Sequence, residues 1–121
     1  GENAMTADFK SMFEAGAITY AQPSVTKIGG VSEMRKVIAL AESFGIEVVP
    51  HSAYFGPGLL ASLHLVAAMV NETPVERFYC DFDVNPYHDA INPKNGRMAI
   101  PQGPGLGVDL DPKVIEKLRI K

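Results

Sequence analysis

The sequence predicts an α/β fold, in which short buried strands alternate with amphipathic helices. Short strand-like runs begin at Ile18, Ile46 and Val75. Between them, apolar residues recur at the three- and four-residue spacing of a helix with one buried face. Each run is preceded or followed by proline or glycine, which end regular elements. We therefore expect strand and helix to alternate along at least the first two-thirds of the chain.

The spacing of the strands narrows the fold class. Their starts, at positions 18, 46 and 75, are evenly spaced along the chain. A (β/α)₈ barrel uses about 250 residues for eight units, or about 30 per unit, so the period fits that architecture. A flavodoxin-like open sheet has a similar period, and spacing alone does not separate the two. Both folds place ligand chemistry at the carboxyl ends of parallel strands.

The first helix and strand have clear ends. Thr6 is expected to cap a helix whose apolar face includes Phe9 and Phe13, and Gly16 is a suitable residue to end it. The run from 17 to 22 follows as a strand, which Pro23 ends because proline cannot donate to a strand ladder.

The next two helices and strands repeat this pattern. Ser32 is expected to cap the second helix, and Gly45 to end it. The second strand ends before Pro50, and a Gly-Pro pair at 56–57 opens a third helix that runs to Val70. Val75 to Tyr79 is a third strand-like run.

The pattern changes after Asp83. Lys94 to Arg97 contains Asn-Gly, which favours a type I′ hairpin turn, with 98–100 as the returning strand. A glycine-rich loop follows, and Asp111 is expected to cap a last helix that begins at Pro112. We therefore divide the chain into a partial barrel, residues 1–83, and a C-terminal hairpin, Gly/Pro loop and helix, residues 84–121.

Composition excludes several classes of function. The net charge is −3 and no basic block occurs, so we expect no nucleic-acid partner. No apolar run approaches the length of a membrane-spanning helix, so we expect no membrane partner. The single cysteine, Cys80, cannot form a disulfide within the chain and fits a reducing cytoplasm.

Titratable and hydroxyl side chains mark the strand ends. Ser24 follows the first strand, His51 follows the second, Glu76 lies in the third, and Glu2 would follow a strand preceding Gly1. In a parallel barrel they would meet at one mouth, where acid/base groups could move a proton and carboxylates could hold a divalent cation. A histidine at a strand end is more often structural, and Glu76 could simply pair with Arg77.

The other two histidines are weaker candidates. His64 falls within the apolar third helix, and His88 falls in the loop segment that precedes the hairpin. We expect neither to be catalytic.

An ordered set of motifs resembles the C-terminal part of enolase-superfamily enzymes of the mandelate racemase/muconate-lactonizing type. The motifs, in the family's order and spacing, are G-E-N at 1–3, Q-P-S-V-T-K-I-G-G at 22–30, the helix M-R-K-V-I-A-L-A-E-S-F-G-I, V-P-H-S at 49–52, V-E-R at 75–77 and P-G-L-G-V at 104–108. No single motif is decisive, but together they cover nearly the whole chain.

The resemblance implies a modified (β/α)₇β barrel, of which this chain runs from the end of the fifth strand through the eighth and into a tail. Glu2 then matches a carboxylate ligand of an essential Mg²⁺. His51 matches the general base or acid at the carbon next to a carboxylate, and Glu76 matches a residue that contacts the substrate carboxylate. The implied substrate is a small carboxylate, and we expect a homo-oligomer.

One residue departs from the family pattern. Where related enzymes carry an aspartate that orients the histidine, this chain has Ser24. A hydroxyl can accept a hydrogen bond from the imidazole but carries no charge. His51 would then be a weaker base, would recruit another carboxylate, or would act mainly as an acid toward a leaving hydroxide. The last option favours dehydration over racemisation.

The resemblance also implies that this chain needs the upstream part of the same polypeptide. The other metal ligands, a second base and a capping domain would precede Gly1, and four strands cannot close an eight-stranded barrel. We expect a fragment of a Mg²⁺-dependent dehydratase of an acid sugar or hydroxy acid. A racemase, epimerase or cycloisomerase is the alternative within the superfamily, and a non-catalytic half-barrel module is the alternative outside it.

Overall fold

A computed structural model describes residues 4–120, in which helices and short strands alternate. The elements are α1 (Thr6–Glu14), β1 (Tyr20–Ala21), α2 (Val31–Ser43), β2 (Glu47–Val48), α3 (Pro57–Ala67), a 3₁₀ helix (His88–Ile91) and α4 (Pro112–Leu118). No helix among these residues is long and apolar enough to cross a membrane.

The two strands pair in parallel, as the spacing predicts. Tyr20 lies opposite Glu47 and Ala21 lies opposite Val48. The connection between them runs through α2, so the chain forms one βαβ unit. The strand pairing is shorter than the runs from 17 to 22 and from 46 to 49 suggest, but backbone hydrogen bonds extend the alignment beyond β2. The third predicted strand, Val75 to Tyr79, is wrong: it forms no strand within residues 4–120.

Two apolar clusters hold these elements together. One lies between α1, α2 and the strands, and the other joins α3 to the 3₁₀ helix through Leu59, Leu60, Leu63, Tyr87 and Ile91. α3 is buried along most of its length because different faces of it contribute to each cluster. The loop that carries His51 leads directly into α3, so its far end is fixed by this packing.

Several helix and turn predictions are confirmed. Gly16 and Gly45 follow the ends of α1 and α2 with positive φ, the left-handed backbone that glycine favours. Asn95 and Gly96 also have positive φ, as a type I′ turn requires, and Lys94 pairs with Arg97 across it. Asp111 caps α4 by accepting from the backbone N–H of Lys113.

The predicted caps of α1 and α2 are wrong. Met5 takes the cap position of α1, and its backbone N–H donates to the Asp8 carboxylate at 2.8 Å. Gly30, which has a positive φ, takes the cap position of α2. Ser32 already lies within the first turn of the helix and therefore cannot cap it. Residues 98–100, expected as a returning strand, also form none.

Thr6 has a different role: its hydroxyl joins α1 to α2. It donates to Glu33 Oε2 at 2.8 Å, while Lys36 Nζ contacts Glu33 Oε1 at 2.5 Å. Two hydrogen bonds lower the pKa of Glu33: the one from Lys36, which is also an ion pair and has the larger effect, and the one from Thr6. A lowered pKa means that charged Glu33 favours the folded state above its unfolded-state pKa, and that this contribution is lost as the pH falls through the folded-state pKa.

We therefore expect Glu33→Gln to lower the melting temperature of the full-length protein at neutral pH. The change should be small, because an ion pair at the surface contributes little to the free energy of unfolding. The wild type and the variant should converge in acid, where Glu33 is protonated. Melting curves recorded from neutral to acid pH measure this, with the exposed Glu42→Gln on the same helix as the control. A difference that persists unchanged in acid would contradict the role of the charge.

Candidate active site

The parallel strands place Ser24 and His51 side by side. Beyond β2, the Val49 N–H donates to the Ala21 carbonyl at 2.9 Å, and the His51 N–H donates to the Pro23 carbonyl at 3.0 Å. These two bonds continue the parallel alignment past the end of both strands. Ser24 follows Pro23 in the chain, and His51 bonds to Pro23. Ser24 and His51 are thus neighbours at the carboxyl edge of the strands, as the sequence predicts.

A chain of hydroxyl groups leads from Ser24 to the imidazole. The Ser24 side chain is fully buried, and its hydroxyl hydrogen bonds to the Tyr54 phenol and, at 3.2 Å, to the Thr26 hydroxyl. The Tyr54 oxygen lies 3.3 Å from His51 Nδ1. The Tyr54 ring also meets the imidazole edge-on, with ring centroids 5.7 Å apart. Ser24 therefore reaches His51 through Tyr54.

Glu76 joins the same site through Ser52, the residue after His51. The Ser52 backbone N–H donates to Glu76 Oε2 at 3.2 Å, and its buried hydroxyl donates to the Glu76 carbonyl at 2.7 Å. These bonds hold the segment around Glu76 beside the His51 loop in place of a strand ladder. Ser24, His51 and Glu76 are therefore brought to one edge, with a carboxylate close to the backbone of the histidine loop.

Glycine at position 58 makes room for this arrangement. A Cβ atom there would lie 2.6 Å from Thr26 Cγ2 and 3.0 Å from Tyr54 Cδ2, too close for an ordinary contact. Gly58 lies in the first turn of α3 and is buried. The start of α3 thus packs directly against the Tyr54 ring and the Thr26 side chain.

The described residues do not form a complete metal site by themselves. Between residues 4 and 120, no three His, Cys, Asp or Glu side chains lie close enough together to hold a metal ion. Glu2, the predicted Mg²⁺ ligand, lies outside the described residues. Carboxylate oxygen is a donor that Mg²⁺ prefers, so Glu2 suits the role by its chemistry. A metal at this edge would need further ligands from outside residues 4–120.

The other histidines make structural contacts elsewhere. His64 Nε2 lies 3.1 Å from the Leu106 carbonyl oxygen, and His88 Nε2 lies 2.8 Å from Asp111 Oδ2. His64 and Leu106 also line a groove of about 520 Å³ between α2 and α3. The lining of that groove includes none of the three residues gathered at the strand ends, so the groove is separate from the candidate site.

Three residues of the site were not predicted from the sequence: Tyr54, Ser52 and Thr26. Each of them lies close in the chain to Ser24 or His51, in the two loops that follow the strands. Their positions in these two loops could have indicated them. The loops that follow adjacent parallel strands lie side by side, so polar side chains in one loop contact those in the other. Their roles depend on side-chain direction, which spacing along the chain does not give.

Comparisons with known proteins give a family match over most of the chain. The family model described as enolase C-terminal domain-like matches residues 1–114. A D-galactarolactone cycloisomerase of Agrobacterium fabrum is 34% identical over 117 residues, covering 88% of this chain and 31% of the relative. A D-xylonate dehydratase of Haloferax volcanii is 31% identical over 111 residues, covering 88% of this chain and 26% of the relative.

A solved structure shows the same fold. The L-talarate dehydratase from Polaromonas sp. JS666, complexed with Mg and L-glucarate, superposes with a TM-score of 0.74 at 28% identity, covering 96% of this chain and 30% of that one. The chain belongs to the enolase C-terminal domain-like family, of the mandelate racemase/muconate-lactonizing type within the enolase superfamily. The predicted fold class, the C-terminal part of an α/β barrel, is thereby confirmed. The division of the chain at residue 83 stays a prediction. The chain spans less than a third of the length of these relatives.

Proposed function

We propose that the full-length protein is a Mg²⁺-dependent enzyme that dehydrates an acid sugar or a related hydroxy acid. The observation that carries this proposal is the meeting of His51, Ser24 and Glu76 at the carboxyl edge of the parallel strands, where barrel enzymes hold their catalytic groups. The relatives support the substrate class, because a xylonate dehydratase and a talarate dehydratase are among them.

In this proposal His51 is the acid/base group. An imidazole titrates near neutral pH and can give or take a proton during turnover. In dehydration, a base, which this proposal places in the upstream part of the polypeptide, takes the proton from the carbon next to the carboxylate. The electron pair of that bond forms a carbon–carbon double bond, and the bond from the neighbouring carbon to its hydroxyl breaks. His51 gives its proton to the departing oxygen, which leaves as water. Tautomerisation of the resulting enol then gives a keto acid.

Two glutamates have the other roles in this proposal. Glu76 contacts the carboxylate of the substrate, and Glu2 is a ligand of the metal. When bound, Mg²⁺ supplies positive charge that stabilises the negative charge building on that carboxylate. The remaining ligands come, in this proposal, from an upstream part of the same polypeptide, which would also complete the barrel. The expected homo-oligomer stays a prediction.

An isomerase is the second candidate. It is favoured by one observation, the 34% identity to a D-galactarolactone cycloisomerase. The hydroxyl chain on the Nδ1 side of His51 favours the dehydratase, because an uncharged partner there suits a group that donates its proton.

The mass of the product separates the two. We expect the full-length protein, incubated with Mg²⁺ and a panel of acid sugars and hydroxy acids, to yield a product lighter than its substrate by one water. A product of unchanged mass with altered stereochemistry or ring closure would instead assign an isomerase. Release of neither kind of product from any member of the panel would contradict the proposed function.

A further inference from the structure

Tyr54 lies between Ser24 and His51, where the family resemblance leads one to expect direct contact. Its phenol hydrogen bonds to the buried Ser24 hydroxyl on one side and lies 3.3 Å from His51 Nδ1 on the other. We propose that Tyr54 is a positioning residue of His51, and that Ser24 acts on the imidazole through it. This inference rests on the proposed function, in which His51 exchanges a proton with the substrate.

The surroundings of Tyr54 hold its ring in one place. The ring packs edge-on against the imidazole at a centroid separation of 5.7 Å. Gly58 also packs against the ring and leaves only enough space for it and for Thr26. Thr26 in turn hydrogen bonds to Ser24 at 3.2 Å, so three hydroxyl groups and one imidazole form a continuous chain. Both the ring and the phenol oxygen of Tyr54 are thus fixed by neighbours, as a positioning residue requires.

A phenol differs from a carboxylate in what it does to the imidazole. An ionised carboxylate only accepts, so it holds the proton of the imidazole on the nitrogen that faces it. A phenol both donates and accepts, and so does the serine hydroxyl behind it. When Nδ1 carries a proton, this N–H donates to the Tyr54 oxygen. When Nδ1 does not, Tyr54 donates to it, and the hydrogen bond between Tyr54 and Ser24 can reverse to match.

The hydroxyl chain therefore orients the ring without fixing its tautomer. As an imidazolium, His51 presents a protonated Nε2 to the leaving oxygen while its Nδ1–H donates to the Tyr54 oxygen. The hydrogen bond at Nδ1 persists after the Nε2 proton has left. That suits a group that donates a proton and afterwards recovers it. A charged group that faces this loop is Glu76, whose carboxylate accepts from the Ser52 N–H next to His51.

Removing the phenol oxygen tests the proposal in the full-length protein. We expect Tyr54→Phe, which keeps the ring, to lower kcat by about tenfold to a hundredfold because a misoriented acid/base group reacts less often. KM should change less than about twofold, since in this proposal Tyr54 acts on the imidazole and not on the substrate. The pH–rate profile should also change, because Tyr54→Phe removes a hydrogen-bond partner from Nδ1 of the acid/base group. Tyr79→Phe, at a phenol that is 95% exposed, is the matched control and should leave all three unchanged.

A double-mutant cycle tests whether Ser24 acts through Tyr54. Ser24→Ala alone should lower kcat and alter the pH–rate profile. In the Tyr54→Phe background the same change should cost less than about twofold more, because the connection is already broken. If Ser24→Ala costs the same in both backgrounds, Ser24 acts on His51 by another route and the proposal is overturned.

Nuclear magnetic resonance of the ¹⁵N-labelled His51 ring gives a readout that needs no substrate. We expect the Nδ1 signal to shift in Tyr54→Phe and to stay in place in Tyr79→Phe. An unshifted signal, or full activity of Tyr54→Phe alongside an inactive His51→Asn, would overturn this inference and leave the proposed function standing. Normal turnover by His51→Asn would instead overturn the proposed function itself.

Discussion

His51→Asn is expected to abolish turnover of the full-length protein while leaving Mg²⁺ binding intact. General acid/base groups contribute about a hundredfold to ten-thousandfold to rate, and asparagine cannot take or give a proton at neutral pH. Asparagine is polar and no larger than histidine, so the loop between β2 and α3 should keep its packing. Steady-state kinetics measure the loss, and isothermal titration calorimetry measures Mg²⁺ binding.

The matched control for this change is His88→Asn. His88 is exposed and pairs with Asp111 at the start of α4, remote in the chain from the strand ends. The control should retain the wild-type kcat and KM. Near-normal activity of His51→Asn would remove His51 from the mechanism, whereas loss of Mg²⁺ binding in that variant would point to a metal role in place of proton transfer.

Glu2→Gln is expected to weaken Mg²⁺ binding by more than about a hundredfold, because it removes a proposed carboxylate ligand. Replacing a residue that only supports a metal ligand already lowers metal affinity by about tenfold to a hundredfold, so loss of the ligand itself should lower it further. A neutral amide oxygen is also a poorer partner for a divalent cation than a carboxylate. Calorimetric titration of the full-length variant with Mg²⁺ measures this without any substrate.

Glu14→Gln serves as the control for that titration. Glu14 is an exposed helix residue paired with Lys10 at 3.5 Å, and its loss should leave Mg²⁺ affinity unchanged. An unchanged affinity in Glu2→Gln would show that the metal is held entirely by other residues. The assignment of Glu2 would then be wrong, although the role of His51 would be unaffected.

The features that could be predicted from the sequence are those set by local chemistry. Glycine at 16 and 45 ended helices because it adopts left-handed backbone at low cost, and Asn95-Gly96 specified its turn for the same reason. The parallel alignment that joins Pro23 to His51 followed from the regular spacing of strand and helix. These signals depend on a few neighbouring residues or on a simple period, so the sequence alone was enough to predict them.

The features that could not be predicted depend on contacts between distant segments. Val75 to Tyr79 has strand composition, but strand formation requires a paired neighbour, and in the described residues Ser52 side-chain and backbone bonds to Glu76 take that place. Thr6 looked like a helix cap, yet its hydroxyl donates to Glu33 on the next helix. Tyr54 was overlooked because its partners, Ser24 and His51, only become neighbours once the strands pair.

The proposed function requires the full-length protein to remove the proton from the carbon next to the substrate's carboxylate, and nuclear magnetic resonance can follow that proton. The full-length protein, with Mg²⁺ in D₂O, is incubated with a panel of acid sugars and hydroxy acids, and the ¹H signal of that proton is recorded over time. We predict that the signal disappears for at least one compound and persists when a chelator is added. Persistence of the signal for every compound would contradict the proposed function and favour a non-catalytic module. Loss of the signal at the same rate in chelator would contradict the role of Mg²⁺ and favour a metal-independent reaction.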